Sequence, residues 1–371
     1  MNRLKEVAAV FLKLGFLGFG GPAVHIAMME EEVVRKRKWM THEHFLDLIG
    51  ATNLIPGPNS TEMALHCGKE RAGWKGLLLA GACFILPAVF ITGLFAWLYQ
   101  KYGTSPQAEP YIYGIKPAII GVIASLMITL GRKAIKSFEL AILGVVALML
   151  AIMGVNEVII LFGLGAIGMG IYAIKNRPDK LASFIPFLFV IPLSIDNKHT
   201  SSKIFWVFLK VGSILYGSGY VLFSFLNSEL VKPGLLSPQI LTDAIAVGQF
   251  TPGPVFSSAT FIGWQMNGLN GAVLATIGIF LPSFLFVGLL NPIVYQLRKS
   301  KVLSAFLDAV NVTAVALIVV VCVELGKSAV TDWRTVVIAI AGFAISFYFK
   351  KLNTAFVIIG GAILGYLFTF F

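Results

Sequence analysis

Two regions of the chain, about 196 residues apart, carry the same motifs, and each holds a Pro-Gly-Pro inside an otherwise apolar segment. Pro56-Gly57-Pro58 reappears as Pro252-Gly253-Pro254, and the Phe-Leu-Lys run at 11–13 reappears at 208–210. Proline lacks a backbone N–H and glycine adopts unusual dihedral angles, so each tripeptide interrupts a helix. The sequence therefore predicts two repeats with helices broken at matching positions.

Composition places both repeats in a membrane. Of the 371 residues, 57% are hydrophobic and 13% are charged, which is too apolar for a soluble domain. Apolar runs such as 77–98, 115–130 and 273–290 approach the roughly 20 residues that a helix needs to cross a bilayer. We expect an all-α polytopic membrane protein in contact with the lipid bilayer. The net charge is +11, and the basic residues that produce it lie in short loops between apolar runs, so we expect no nucleic-acid partner.

The distribution of basic residues predicts that the two repeats have inverted topology. If each broken segment enters and leaves on one side, the basic clusters at 35–38 and 69–75 lie with the N-terminus. The positive-inside rule makes that side cytoplasmic. The matching loops 227–239 and 263–271 hold only one basic residue, Lys232. We expect inverted repeats at 1–180 and 204–371, joined by a linker at 181–203 that supplies the odd crossing.

The helix breaks are the predicted substrate site. A break within the bilayer frees backbone N–H and C=O groups, which persist only where protein, water or ligand satisfies them. Matched breaks in two repeats are typical of the binding site of a secondary transporter. The helices that start after these breaks present N-termini suited to an anion. The glycines predicted to line this site are Gly20, Gly21, Gly57, Gly217 and Gly253. Close packing of membrane helices is the alternative role for such glycines.

Matched lysines and amides extend the predicted site. Lys13 and Lys210 lie within apolar segments, where an unpaired cation costs about 2.5 to 3.5 kcal/mol. We expect both to face an interior cavity and neutralise the anion, with snorkelling to the interface as the alternative. Asn53 and Gln249 precede the two Pro-Gly-Pro motifs, and Asn59 follows the first. Their amides are predicted to bind an oxyanion.

Four ionisable residues are candidates for coupling. Asp47 and Asp243 each lie nine residues before a Pro-Gly-Pro, where they can pair with a lysine, hold a transported proton, or simply lie at the interface. Glu62 and His25 have no ionisable counterpart in the other repeat, which favours coupling over substrate binding. No Cys/His cluster is present, so we expect no metal and no cofactor. No Walker motif is present, so we expect coupling to an ion gradient rather than to ATP.

The motifs together resemble those of the chromate ion transporter family. The similarity rests on Phe19-Gly20-Gly21-Pro22, a histidine three residues later, and Pro-Gly-Pro in both halves, as in the long, two-domain members. The second repeat has Tyr216-Gly217-Ser218-Gly219 in place of the Gly-Gly-Pro element. The resemblance implies export of chromate from the bacterial cytoplasm across the inner membrane, with sulfate as a related or competing substrate.

The predicted function is therefore a secondary transporter that exports chromate, with its site at the repeat interface. Transport of sulfate or another oxyanion is one alternative, and an anion channel is another. A membrane-embedded enzyme is disfavoured because the sequence offers no credible set of acid, base, nucleophile or metal ligands. Assembly as a homodimer is left open.

Overall fold

The structure is a computed structural model that describes residues 2–19, 21–103, 105–176, 200–216, 219, 221–297, 300–349 and 352–370. All regular secondary structure in these ranges is helical, which confirms the predicted all-α class. Five of the described helices are long and apolar enough to cross a membrane. The odd crossing predicted for the linker 181–203 falls mainly on residues outside the described ranges.

The two repeats contain the same helices in the same order. The first repeat consists of α1 (Arg3–Leu17), α2 (Pro22–Met29) with a π-helical extension (Glu30–Lys36), α3 (His42–Thr52), α4 (Asn59–Tyr102), α5 (Glu109–Ala134), α6 (Phe138–Ile152) and α7 (Glu157–Asn176). The second repeat consists of α8 (Thr200–Ile214), α9 (Val221–Leu226) with a π-helical extension (Asn227–Val231), α10 (Pro238–Phe250), a 3-10 turn (Val255–Ser257) with α11 (Ser258–Leu297), α12 (Lys301–Ala329), α13 (Trp333–Tyr348) and α14 (Thr354–Phe368). The breaks after α1, α3, α8 and α10 lie where the glycine and proline motifs predict them.

The two longest helices each fold back on themselves. In α4, Ala72 and Gly73 leave the helical conformation, with φ +62° at the glycine. A Cβ added to Gly68 would overlap the backbone of Gly76. Residues eight apart in a straight helix are separated by about 12 Å, so the chain must reverse between them. In the second repeat the same turn is formed by Asn267 and Gly268, with Gly263 facing Gly271.

Each broken segment in the first repeat also returns to the end from which it started. Lys13 in α1 donates to Glu32, beyond the break, at 2.7 Å, so the two limbs run antiparallel. The start of α3 meets the end of the first limb of α4, where His44 Nε2 lies 3.5 Å from Glu70 Oε2. The first repeat thus begins with two hairpins that open toward one end of the molecule.

The reversals of α4 and α11 lie at opposite ends of the molecule. Near the first reversal, Lys69 Nζ donates to the carbonyl oxygen of Gly288 at 2.8 Å. Near the second reversal, Gln265 Nε2 donates to the carbonyl oxygen of Ala96 at 3.0 Å. Ala96 lies about 35 Å along α4 from the turn at Gly73, by the rise of an α-helix. The hairpins of the two repeats therefore open in opposite directions.

The remaining helices form a bundle in which helices of one repeat pack on helices of the other. The long helices α5 and α12 pack against each other. Helix α5 packs on α13 and α14 of the second repeat, whereas α12 packs on α6 and α7 of the first. The hairpins are attached to this bundle, and α4 contacts α11 where the two sets of hairpins meet.

Candidate substrate and coupling site

The breaks of the two repeats meet through a pair of equivalent backbone hydrogen bonds. The amide of Gly57 donates to the carbonyl oxygen of Leu215 at 2.8 Å, and the amide of Gly253 donates to that of Gly18 at 2.7 Å. Leu215 and Gly18 occupy matching positions after α8 and α1. Each Pro-Gly-Pro is thus bonded to the helix break of the opposite repeat, and all four residues are buried.

The two Pro-Gly-Pro glycines are required by conformation and by space. Gly57 has φ +138° and Gly253 has φ +87°, values that side chains on L-residues rarely allow. A Cβ on Gly57 would overlap the side chains of Glu62 and Ser283, and one on Gly253 would lie 3.0 Å from the Cβ of Ala88. Both amides already have backbone acceptors, so these glycines allow the repeats to approach each other rather than presenting two unpaired N–H groups.

A shell of buried polar side chains surrounds the paired breaks. The Thr92 hydroxyl lies 3.3 Å from that of Thr251 and 3.2 Å from that of Ser257. Glu62 is 0% exposed, and its Oε1 accepts a hydrogen bond from the Ser283 hydroxyl at 3.4 Å. Its Oε2 has no hydrogen-bond partner among the described residues. A polar centre of this kind is unusual inside a membrane protein and is generally functional.

His25 is part of the link between the repeats. Its side chain is 2% exposed, its Nε2 lies 2.8 Å from the carbonyl oxygen of Gly18, and its ring meets Phe84 edge-on at 5.4 Å. A carbonyl oxygen can only accept, so Nε2 carries the proton. Gly18 therefore accepts from both His25 and Gly253, which ties the start of α2 to the second Pro-Gly-Pro.

Lys13 lines a cavity of about 550 Å³ between α1 and α2. Its side chain is 50% exposed, and its partner Glu32 is 7% exposed. Ala23 and Val24, in the first turn of α2, line the same cavity. The volume lies within the roughly 300 to 1,000 Å³ of small-molecule sites. A cation and a helix N-terminus here share one space, and the role of Lys13 in binding an anion stays a prediction.

Lys210 lines a smaller cavity in the second repeat, which shares the lysine and glutamate positions with the first but extends along α8 rather than toward the helix break. Its volume is about 190 Å³, and the Lys210 side chain is 25% exposed. Lys210 Nζ donates to Glu229 at 2.7 Å, in the same geometry as the pair in the first repeat. Sequence reasoning missed both glutamates. The signal was available, because each follows its lysine by 19 residues.

The predicted amides form contacts at the margins of the breaks. Asn59 Nδ2 donates to Asn53 Oδ1 at 2.7 Å, so these two residues bind each other in this conformation. Gln249 Oε1 accepts from the Thr354 hydroxyl at 3.3 Å. Gly21 precedes α2 with φ +85°, and nothing lies within 4 Å of the position its Cβ would take. The predicted residues Gly20 and Gly217 lie outside the described ranges.

The two matched aspartates have different surroundings. Asp243 is 4% exposed, accepts a hydrogen bond from the Tyr99 hydroxyl at 2.6 Å, and lies 3.7 Å from Lys116 Nζ. Asp47 is half-buried on α3. Tyr99 and Lys116 were not predicted, because one polar residue in a long apolar helix gives no sign of the partner it meets across the bundle.

The described residues hold no group of three or more His, Cys, Asp or Glu side chains arranged to bind a metal ion. Cys67, Cys83 and Cys322 are buried free thiols.

The chain matches the family model described as chromate transporter twice, over residues 5–169 and 202–366. It belongs to the chromate transporter family. This confirms the resemblance drawn from the sequence motifs, and it shows that each repeat matches the family on its own. The helical structure and the family together establish a multi-pass membrane protein.

Curated relatives cover nearly the whole chain. A probable chromate transport protein of Synechococcus elongatus is 31% identical and aligns with 98% of this chain and 95% of its own length. Chromate transport proteins of Cupriavidus metallidurans and Pseudomonas aeruginosa are 29% and 27% identical, each over 98% of this chain and 92% of their own length. No solved structure matches the chain.

Proposed function

We propose that this protein is a secondary transporter that exports chromate across the bacterial inner membrane, with its binding site between two inverted repeats. The substrate is carried over from the relatives, which align over nearly their whole length and are named as chromate transport proteins. The proposed mechanism rests on the equivalent hydrogen bonds from Gly57 and Gly253, because they join the two repeats where their helices are broken. A shared centre of this kind lets one site be exposed in turn to each side.

Inverted orientation in the membrane is supported by two independent features. The reversals of α4 and α11 lie at opposite ends of the molecule, as the contacts of Lys69 and Gln265 indicate. The basic residues cluster at the hairpin ends of the first repeat and are scarce at those of the second. We assign the first repeat's hairpin end to the cytoplasm and the second repeat's to the outside.

The oxyanion binds in the space lined by Lys13 and the start of α2, and passes to the smaller space at Lys210. Each lysine is already paired with a glutamate, at 2.7 Å in both repeats. A dianion entering the cavity competes with that glutamate for the lysine, so the ion pair opens when substrate binds. The exchange of one anionic partner for another avoids leaving the cation unpaired in the membrane, which would cost several kcal/mol.

A carrier is favoured over an anion channel because the residues that join the two breaks, Gly18, Gly57, Leu215 and Gly253, are all buried in this conformation. A channel holds one path open to both sides, whereas a carrier opens its site to one side at a time. Sulfate is kept as the second candidate substrate, because it is a tetrahedral dianion like chromate and the site's donors recognise shape and charge.

The test is counterflow with purified protein in proteoliposomes. Vesicles loaded with unlabelled chromate should transiently accumulate labelled chromate, since a carrier exchanges substrate across a closed membrane and a channel only dissipates the gradient. The same vesicles loaded with sulfate show whether sulfate is exchanged, and inside-out membrane vesicles show the direction. Dissipation without exchange would replace the carrier with a channel, and exchange of sulfate without chromate would replace the substrate.

A further inference from the structure

The carboxyl group of Glu62 occupies the place where an anion would meet the start of α4. Glu62 lies in the first turn of α4, whose N-cap residue Pro58 makes no side-chain capping hydrogen bond. The side chain lies directly beside Gly57, where a Cβ would overlap its Oε1. Helix N-termini attract anions. An ionised Glu62 is therefore a tethered anion at one of the four helix starts.

The surroundings of Glu62 favour its neutral form in the conformation described. Its side chain is completely buried, its Oε1 meets only the Ser283 hydroxyl at 3.4 Å, and its Oε2 has no partner among the described residues. No Lys or Arg among those residues forms an ion pair with it. A buried carboxylate that lacks a cation takes up a proton instead. A neutral Glu62 carries no charge that would repel a substrate anion from the start of α4.

A second buried ionisable group lies one helical turn further along α4. His66 is 1% exposed, and neither ring nitrogen has a hydrogen-bond partner among the described residues. It is four residues after Glu62, which places the two on one face and about 6 Å apart along the axis. The next turn carries Glu70, which lies 3.5 Å from His44 at the hairpin end. These groups lie in a row along α4 from the centre to the first repeat's hairpin end.

The second repeat has no equivalent of this row of groups. Glu62 corresponds to Ser258 and His66 to Ile262, and neither side chain is ionisable near neutral pH. The charged or titratable neighbours of these two groups are Tyr216 beside Glu62, and His44 and Lys69 beside His66. None of these three neighbours is a carboxylate.

We propose that Glu62 is the proton-binding group of the transporter, that its protonation admits the oxyanion to the start of α4, and that His66 relays the proton to Glu62 from the first repeat's hairpin end. The proposal rests on the proposed function, because it assigns the coupling ion of that transporter and places Glu62 on the path of the oxyanion between the two lysines. Proton and oxyanion are taken up together at the first repeat and released together when the second repeat opens, since an ionised Glu62 repels the substrate. Atoms balance in this step: the carboxylate takes up a proton from water through His66, the carboxylic acid returns it to water on the opposite side, and no other reactant is consumed.

The test is the pH dependence of sulfate binding to the purified full-length protein. Sulfate is used because it stays a dianion near neutral pH, whereas chromate itself takes up a proton there. For the wild type, sulfate affinity should fall by up to tenfold for each unit by which the pH rises, as linkage of one proton requires. Glu62→Gln should bind sulfate with no pH dependence, and Glu62→Asp should restore a slope. Ser258→Ala is the matched control in the other repeat and should keep the wild-type slope.

The role of His66 is tested by measuring the rate of proton movement. His66→Asn should keep the equilibrium slope of the wild type and slow proton release from the vesicle interior during sulfate efflux, measured with an internal pH dye.

A wild-type pH slope in Glu62→Gln would overturn the assignment of Glu62, and equal proton release in wild type and His66→Asn would overturn that of His66. Loss of sulfate and chromate counterflow in a folded Glu62→Gln protein would also overturn it, by making Glu62 necessary for binding itself. Failure of counterflow in the wild type would instead refute the transporter, and this inference with it.

Discussion

The broken hairpins of the two repeats share one fold but attach differently to the helical bundle. In the second repeat, α10 packs against α5, α12 and α14, and Asp243 reaches across to Tyr99 and Lys116. Further contacts join this hairpin to the bundle from Lys232 to Glu157 and from Asn227 to Glu324. The second repeat's hairpin is therefore held against the bundle.

The matching residues of the first repeat bind locally instead. Arg35, the counterpart of Lys232, pairs with Glu30 and Glu31 of its own segment. Asn53, the counterpart of Gln249, pairs with Asn59. Helix α3 packs against α4, α11 and the extension of α2, without comparable packing on α12 or α7 in the described part of the chain. We infer from this difference that the first repeat is in the open state and the second in the closed state.

The largest effect is expected at the point that both repeats share. Gly57→Val and Gly253→Val should abolish transport, because a β-branched side chain collides with the opposite repeat and because positive φ costs such a residue about 1 to 3 kcal/mol. Gly170→Val is the control, since its Cβ would meet nothing within 4 Å. Transport should be measured per folded molecule, from monodisperse protein reconstituted at equal density. Normal rates in either variant would mean that the linked breaks are not needed for transport.

A smaller effect is expected where the closed side is held shut. Asp243→Asn leaves Lys116 without its partner, and breaking such a buried pair costs about 3 to 5 kcal/mol. The population should shift toward a conformer open at the second repeat. The readout is thiol labelling of Val207→Cys, which is buried beside the second cavity and should react at least about tenfold faster, a shift of about 1.4 kcal/mol.

Asp47→Asn is the matched control for that experiment, because Asp47 occupies the same position in the repeat that is already open. It should leave the labelling of Val207→Cys unchanged. Equal acceleration by the two aspartate variants would show that the difference between the repeats does not depend on the contact of Asp243 with the bundle.

The smallest of these effects is expected at the matched lysines. Lys13→Gln and Lys210→Gln should each weaken oxyanion binding by about 1 to 3 kcal/mol, the usual range for hydrogen bonds to a charged group. The loss should be larger for Lys13, whose cavity is open in this conformer. Binding should be measured by titration with sulfate and chromate. Lys175→Gln, on an exposed ion pair with Glu139, is the control, and affinities equal to it would place both lysines outside the site.

The sequence predicted the class, the duplication and the positions of the breaks, because glycine and proline act through the local backbone wherever they occur. The reversals at Gly73 and Gly268 lie within the loops predicted at 69–75 and 263–271. Those loops were predicted because the basic residues at 69–75 follow a broken segment that was expected to return to the side on which it entered. The close approach of Gly68 to Gly76 was not predicted, because it depends on how the two limbs pack.

The partners of the predicted site residues were the least accessible to sequence reasoning. The Gly57 amide donates to the carbonyl oxygen of Leu215, and Asp243 pairs with Lys116, through contacts between distant parts of the chain. Such pairings are set by tertiary packing and leave no trace in spacing. The glutamates bound to Lys13 and Lys210 are the exception, because the shared 19-residue interval repeats in both halves.

The most direct test of the central claim, that the two repeats face opposite sides of the membrane, is thiol labelling of Arg37→Cys and Lys232→Cys in intact cells. The native cysteines are buried, so background labelling is low and they can be replaced by alanine. With an impermeant reagent, Lys232→Cys should react in intact cells, and Arg37→Cys should react only after the membrane is opened. Labelling of both positions from the same side would contradict the inverted arrangement and the transport mechanism built on it.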